Sequence, residues 1–481
     1  MEMGTIADAS SRRVRRQVPW ICIILGAVGI LMFEHVAAGA GSGGDDGSAS
    51  FFDAKAQNAA IHNLQRYLRL DTAQPTPAYA SALTLLTELC FGVPKMKTHA
   101  HSFVRGKPVL VCSITGTDRD APSIMLNSHT DVVPAGNLSN WDFPPFGAAR
   151  VPAVMLSNAQ SSDDHIVARG VQDMKSVGIQ YLEALKLLLR QQPNRTFRRS
   201  IHVVWVPDEE IGGVDGMGRL VDSSLFTALN VGVELDEGLA SPTEEFELCW
   251  AERRPFWTRI TVSDAPGHGA MVPASTATLT LVQILAHVAT YRQEIVEQVN
   301  SGAKELGEVV SVNINHVHAG SADAINVIPS HAEAILDIRI PPFVSAAQVD
   351  ELIASWMPCT NCGIHVSFVH RVEEGDETSL DENENPWAGV FARATSDLKL
   401  HKMIFPASTD GRFVRAKKIP VFGFSPMNNS PVLLHKFNEH LGTKVFLEGI
   451  RIYARIIEAL ANAPPLPHEL SPEQAEGEAE L

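Results

Sequence analysis

The sequence predicts an α/β fold in which a catalytic domain with a mostly parallel central sheet is interrupted by an inserted α+β unit of ferredoxin-like plan. Three observations carry this expectation. Short apolar runs alternate with helical segments from about residue 52 to 250, the order changes to βαββαβ over residues 251–371, and the α/β pattern then resumes. The boundaries follow: 1–50 a basic and apolar leader with its linker, 51–250 and 372–463 the two parts of the catalytic domain, 251–371 the insertion, and 464–481 an acidic tail.

In the leader, Arg12, Arg13, Arg15 and Arg16 precede an apolar run from Val18 to Phe33, and Ala37 to Gly44 are all small residues. The run is short for a span of about 20 residues and slightly long for a signal-peptide core. A cleaved signal and a retained membrane anchor through residues 18–33 both stand, and both place the body in the secretory pathway, lumenal, extracellular or anchored. The alternative, a buried helix of a cytoplasmic protein, has no amphipathic pattern in its flanks. Sequons at Asn137, Asn194 and Asn428 agree with lumenal exposure but add little.

In the body, apolar runs at Ile124–Leu126, Ile201–Val206 and Val231–Leu235 read as buried strands, and residues 174–190 as a covering helix. The insertion reads as strand 256–263, helix 276–298, strands 309–318 and 331–341, helix 346–357 and strand 363–370. Helix 385–398 and strand 420–424 restore the first pattern.

With 481 residues, 45% hydrophobic and 20% charged, the chain can bury a large core, which excludes a disulfide scaffold or a disordered tail protein. A mean hydropathy of +0.01 excludes a multi-span membrane protein. The net charge of −16 has the wrong sign for a nucleic-acid partner. Six cysteines are too sparse for a disulfide framework, and Cys359-Thr-Asn-Cys362 reads as an ordinary loop, or as a local disulfide if the body is lumenal.

The strand ends carry the chemistry. His129-Thr-Asp131 follows one strand, Asp173 stands at a strand-to-helix junction, Asp208-Glu209-Glu210 follows a second strand and Asp236-Glu237 a third. An open α/β sheet places its ligand site there. Carboxylates gathered at one edge repel by about 4 kcal/mol per pair at 4 Å and an effective dielectric near 20, and bound cations remove the repulsion. Imidazole and carboxylate without thiolate suit zinc or a similar divalent ion. Each signal alone is weak, since a lone His is more often structural and Asp173 reads equally as a helix cap. Adjacent Glu209 and Glu210 say more: one can bind metal while the other moves protons.

Several ordered motifs together are specific. They are Leu126-Asn-Ser-His-Thr-Asp-Val-Val-Pro134, Ala168-Arg-Gly-Val-Gln-Asp-Met-Lys175, Val206-Pro-Asp-Glu-Glu-Ile-Gly-Gly213, Leu235-Asp-Glu-Gly238, Pro266-Gly-His268, Asn326-Val-Ile-Pro329, Gly423-Phe-Ser-Pro-Met-Asn428 and Pro431-Val-Leu-Leu-His435. From about Ile61 to Leu460 the chain thereby resembles the aminoacylase-1 branch of the di-zinc metallopeptidase and amidohydrolase superfamily. The resemblance implies a zinc-peptidase-like catalytic domain with two zinc ions per subunit, one held by His129, Asp173 and Glu237, the other by Asp173, Glu210 and His435. It makes Glu209 the general base and Asp131 the support of His129. It also implies a homodimer through the inserted lid, with His268 reaching the partner's site to stabilise the oxyanion. The implied substrate is a small N-acyl amino acid, whose carboxylate would meet Arg412, Arg339 or Asn326; for each, an ordinary ion pair or turn is the plain alternative.

The leader departs from the cytosolic aminoacylase pattern and puts location in doubt, not chemistry. It makes a lumenal carboxypeptidase, or a fatty-acyl amino acid hydrolase and synthase, the nearest rival. A non-catalytic binding scaffold is the rival of another class and predicts the loss of a ligand or base, yet all six positions hold suitable chemistry.

Overall fold

The computed structural model describes residues 52–160, 162–359, 362–466 and 469. The expected leader, anchor and linker lie outside the described residues, as does most of the tail. Among the described residues no helix is long and apolar enough to cross a membrane.

The central sheet has eight strands in the spatial order Lys97–Val104, Lys107–Ile114, Ile201–Val206, Ser123–His129, Val231–Asp236, Val421–Phe424, Phe246–Glu252, Leu400–Phe405. Its middle is parallel, as Ile201–Val206, Ser123–His129, Val231–Asp236 and Val421–Phe424 run the same way. Antiparallel partners flank it, the first hairpin on one side and Phe246–Glu252 on the other. The sheet is thus mostly parallel, as its apolar runs predict. Ser123–His129 and Ile201–Val206 are buried along their whole length because helices lie over the sheet. Ser176–Gln191, buried from Ser176 to Leu189, packs against Thr443–Ala461 and Ala54–Leu68. It comes so close to the strands that a Cβ on Gly178 would meet Ser128 Oγ and Trp205 Nε1, each at 2.7 Å. The helix begins two residues later than the sequence suggests, because Asp173 and Met174 have non-helical dihedrals.

The insertion forms a four-stranded antiparallel sheet, Ser311–Ala319, His331–Ile340, Arg254–Ser263 and Ile364–Arg371 in spatial order. Every second residue of His331–Ile340 is buried and joins helices Ala277–Asn300 and Ala346–Ser355 in a separate core. On the other face the alternate residues Glu333, Ile335, Asp337 and Arg339 are only half-buried. A two-residue ladder, Gly267–His268 with Val327–Ile328, stands beside this sheet.

Two readings change. The stretch from Pro464 is not wholly a solvated tail: Leu466 is buried, and Glu469 pairs with the fully buried Arg199 at 2.7 and 3.0 Å. A guanidinium removed from water needs a counter-charge, and the chain beyond residue 463 provides it. Four cysteines are paired, Cys90 with Cys112 and Cys359 with Cys362. Sparse spacing did not reveal the first pair, which joins helix Tyr79–Phe91 to strand Lys107–Ile114.

Candidate metal centre

Parallel strands bring their C-terminal ends to one edge of the sheet, and the donors gather there. His129 closes its strand, Glu209 and Glu210 form a single 3-10 turn after Ile201–Val206, and Glu237 follows Val231–Asp236. Asp173 comes from the turn before helix Ser176–Gln191. That turn needs Gly170 at φ +81°, where a Cβ would also strike Val132 Cγ1 at 2.5 Å. His435 arrives from the segment before the last long helix, itself at φ +62°.

The geometry makes two groups of three. His129 Nε2 lies 3.0 Å from Asp173 Oδ1 and 3.4 Å from Glu237 Oε2. His435 Nε2 lies 3.1 Å from Asp173 Oδ2 and 3.2 Å from Glu210 Oε2. Within each group the donor atoms all fall within 4.8 Å of one another, and Asp173 serves both through different oxygens. The first group is buried, whereas the His435 side chain is 55% exposed.

These donors fit a pair of divalent cations. They are carboxylate oxygens and imidazole nitrogens at metal-ligand spacing, with no thiolate among them. Their electrostatics say the same. Burial, then the Glu237 charge, holds the Glu209 carboxyl well above its usual range. Burial also raises Glu237, with Asp173 adding to it. The Asp173 hydrogen bond, with Glu210, pushes the His435 imidazole up to about 10. Against its burial, the hydrogen bonds from His129 and His435 hold the shared Asp173 below its usual range, so the two imidazoles carry the positive charge that cations at the same positions would supply.

Asp131 sits differently from the expectation that its carboxylate supports His129. His129 Nδ1 donates to the main-chain oxygen of Asp131 at 2.8 Å, leaving Nε2 aimed at Asp173 and Glu237, while the nearest Asp131 carboxylate oxygen is 4.0 Å away. That carboxylate accepts instead from the backbone N–H of Glu209 at 3.1 Å and of Glu210 at 3.3 Å. The residue after the histidine's neighbour does both jobs, one with each kind of oxygen.

Beside the donors opens a cavity of about 200 Å³ lined also by Arg339 and Arg412. Arg412 is held by the main-chain oxygens of Thr409 and Gly212, the latter at 2.7 Å, and lies 4.4 Å from the Phe413 ring. Arg339 is already forked onto Asp337 at 2.7 and 3.1 Å. His268 and Asn326 are not brought to this cavity. Both are exposed beside the small ladder, where Asn326 O accepts from Gly269 N at 2.6 Å. Sequence reasoning missed the walls: Pro255, Trp257 and His370 from the insertion, with Phe405 and Leu434 from the body. The available signal for one of them was the period of two that sets Phe256, Ile260 and Val262 on one face of their strand and leaves Trp257 on the other with Arg259 and Thr261.

Residues 125–459 match the family model described as Peptidase family M20/M25/M40. Aminoacylase-1 of Sus scrofa is 38% identical over 419 residues, covering 86% of this chain and 98% of its own. Aminoacylase-1 of Homo sapiens is likewise 38% identical over 421 residues, with the same coverage. Among solved structures, an M20 family metallo-carboxypeptidase from Sulfolobus solfataricus superposes with TM-score 0.65 at 15% identity, over 84% of this chain and 99% of that one. A dinuclear metal binding peptidase of the M20 family from Bacillus subtilis gives TM-score 0.55 at 14% identity, over 85% and 99%. At such identities the structural likeness shows the fold alone.

Proposed function

The chain belongs to peptidase family M20/M25/M40 and, within it, to the aminoacylase-1 family, and from that premise we propose that it hydrolyses the amide bond of N-acyl-L-amino acids. Water and amide give a carboxylate and a free amino acid. One observation carries the reading: two donor groups sharing Asp173, with Glu209 and Arg412 on the same cavity. The groups would hold two zinc ions per subunit, His129, Asp173 and Glu237 one, Asp173, Glu210 and His435 the other. Zinc in such a site acts as a Lewis acid toward a carbonyl oxygen and lowers the pKa of water.

The chain's own groups do the rest. The Glu209 carboxylate takes the proton of the attacking water and returns it to the amide nitrogen as the C–N bond breaks. Arg412 donates to two main-chain oxygens and has no carboxylate in a direct ion pair among the described residues, so its remaining N–H groups suit the substrate carboxylate. Arg339 is a weaker candidate because Asp337 already occupies it. His268 and Asn326, exposed and outside their own cavity, support a homodimer in which the copy supplies them, His268 donating to the developing oxyanion. The basic and apolar leader and the paired cysteines support a secretory-pathway location, the leader serving either as a cleaved signal or as an anchor through residues 18–33.

The test is a substrate panel on zinc-loaded full chain. N-acetyl-L-methionine should be cleaved well ahead of free or blocked dipeptides. Preference for blocked peptides replaces the aminoacylase reading with a carboxypeptidase, and no metal-dependent turnover of any acyl amino acid leaves a binding scaffold.

A further inference from the structure

Behind the donors runs a buried polar chain that the proposed reaction leaves unused. Gln74 lies in the connection that follows helix Ala54–Leu68, and Tyr79 begins the next helix. The single Gln74 amide nitrogen donates to Asp131 Oδ2 at 2.8 Å and to Asp208 Oδ1 at 3.1 Å. The Tyr79 hydroxyl donates to the same Asp208 oxygen at 2.6 Å and accepts from the Asp208 backbone N–H at 2.9 Å. Lys107 closes the far end through Asp208 and, at 2.6 Å, Asp215. Gln74, Tyr79, Asp131 and Asp208 are each less than a tenth exposed, and none of them lines the cavity.

Two consequences follow from this arrangement. Asp131 and Asp208 are like charges out of water, and they stay together only because donors stand between and behind them. Asp208 is also held at φ +67°, a left-handed conformation that a non-glycine residue keeps only when its surroundings insist. The turn bearing Glu209 and Glu210 starts at the next residue, and Asp131 grips both of its amides.

We propose that Gln74 and Tyr79 are positioning residues for the hydrolysis. By bracing Asp131 against Asp208 they fix the turn that aims Glu209 at the cavity and Glu210 at the second donor group. The assignment rests on Glu209 as base and Glu210 as metal donor.

The experiment compares wild type, Tyr79→Phe and Gln74→Leu as full, zinc-loaded chains, reading kcat, KM, melting temperature and zinc affinity by chelator competition. Each variant should lose about 10–100-fold in kcat and hold its weaker zinc about tenfold less tightly, with KM changed less than about twofold. Gln74→Glu, which adds a third carboxylate between two, should lose more at neutral pH and recover part of it in acid, a profile that mere loosening of the fold does not produce. Wild-type kcat and zinc affinity in both Tyr79→Phe and Gln74→Leu overturn the assignment. A lowered melting temperature with unchanged kcat per folded molecule overturns it as well. Should the wild type cleave no acyl amino acid, the reaction reading fails by itself, and zinc affinity in the variants still decides the bracing.

Discussion

Strand Ser123–His129 and strand His331–Ile340 differ in one respect that organises the molecule. The first is buried at every residue, and the second only at alternate ones. Helices cover both faces of the central sheet, so its strand ends hold His129, Glu209, Glu210 and Glu237 on a rigid, dry frame. The inserted sheet is covered on one face, and its other face turns Trp257, Arg339 and His370 toward the cavity. The comparison teaches a division in which the body holds the candidate metal donors, Glu209 and Arg412, while the open face of the insertion supplies a further wall of the same cavity. Damage to the body should appear in metal content, kcat and stability, and damage to the open face in KM.

The largest effect that sharpens this contrast is Asp173→Ala. It removes the carboxylate that both donor groups share, so zinc content by elemental analysis and turnover should both fall to background. Next comes Glu209→Gln, which should keep full zinc while kcat falls by about 10²–10⁴-fold. Normal activity at normal zinc would falsify its role as base. On the other side of the comparison, Trp257→Ala should raise KM about tenfold, the result of losing ~1.4 kcal/mol of apolar contact, with zinc content and melting temperature unchanged. A loss of metal in that variant would break the division.

A last test, which leaves the cavity untouched, measures what two-sided burial costs. His202, within the fully buried strand Ile201–Val206, is pushed down by burial to about 4. Its folded pKa lies below the unfolded value, so the unfolded chain binds the proton first. The stability contribution is complete above about pH 6.5 and is lost as pH falls toward 4, by about 3 kcal/mol in all. His202→Gln should flatten that part of the stability profile in denaturant titrations. An unchanged slope would show that the group is not buried neutral.

Legibility followed the same division. Apolar runs ending in acids or imidazole announced the parallel strands and the metal donors nearest them, because burial on both faces writes a continuous hydrophobic signal. The hairpin Lys97–Val104 with Lys107–Ile114 was missed, since its outer strand is mostly exposed and carries His99 and His101 where an apolar pattern would have marked it. Leu400–Phe405 was missed at the opposite edge, buried only at Ile404 and Phe405. His435 came from resemblance, since nothing in spacing joins it to Asp173 across the insertion. Gln74 and Tyr79 left no trace at all, being ordinary polar residues whose importance lies in whom they touch.

By itself, the amino-acid sequence determined the kind of layers and the chemistry at the strand ends, because periodicity and side-chain type are local properties that survive without knowledge of the fold. Only the tertiary structure decided that Asp173 divides its two oxygens between His129 and His435, that the Asp131 carboxylate grips the Glu209 turn, and that His268 and Asn326 stand outside their own cavity. Those are matters of how segments far apart in the chain are placed in space, and hydrogen bonds and charges respond to that placement, not to separation along the sequence.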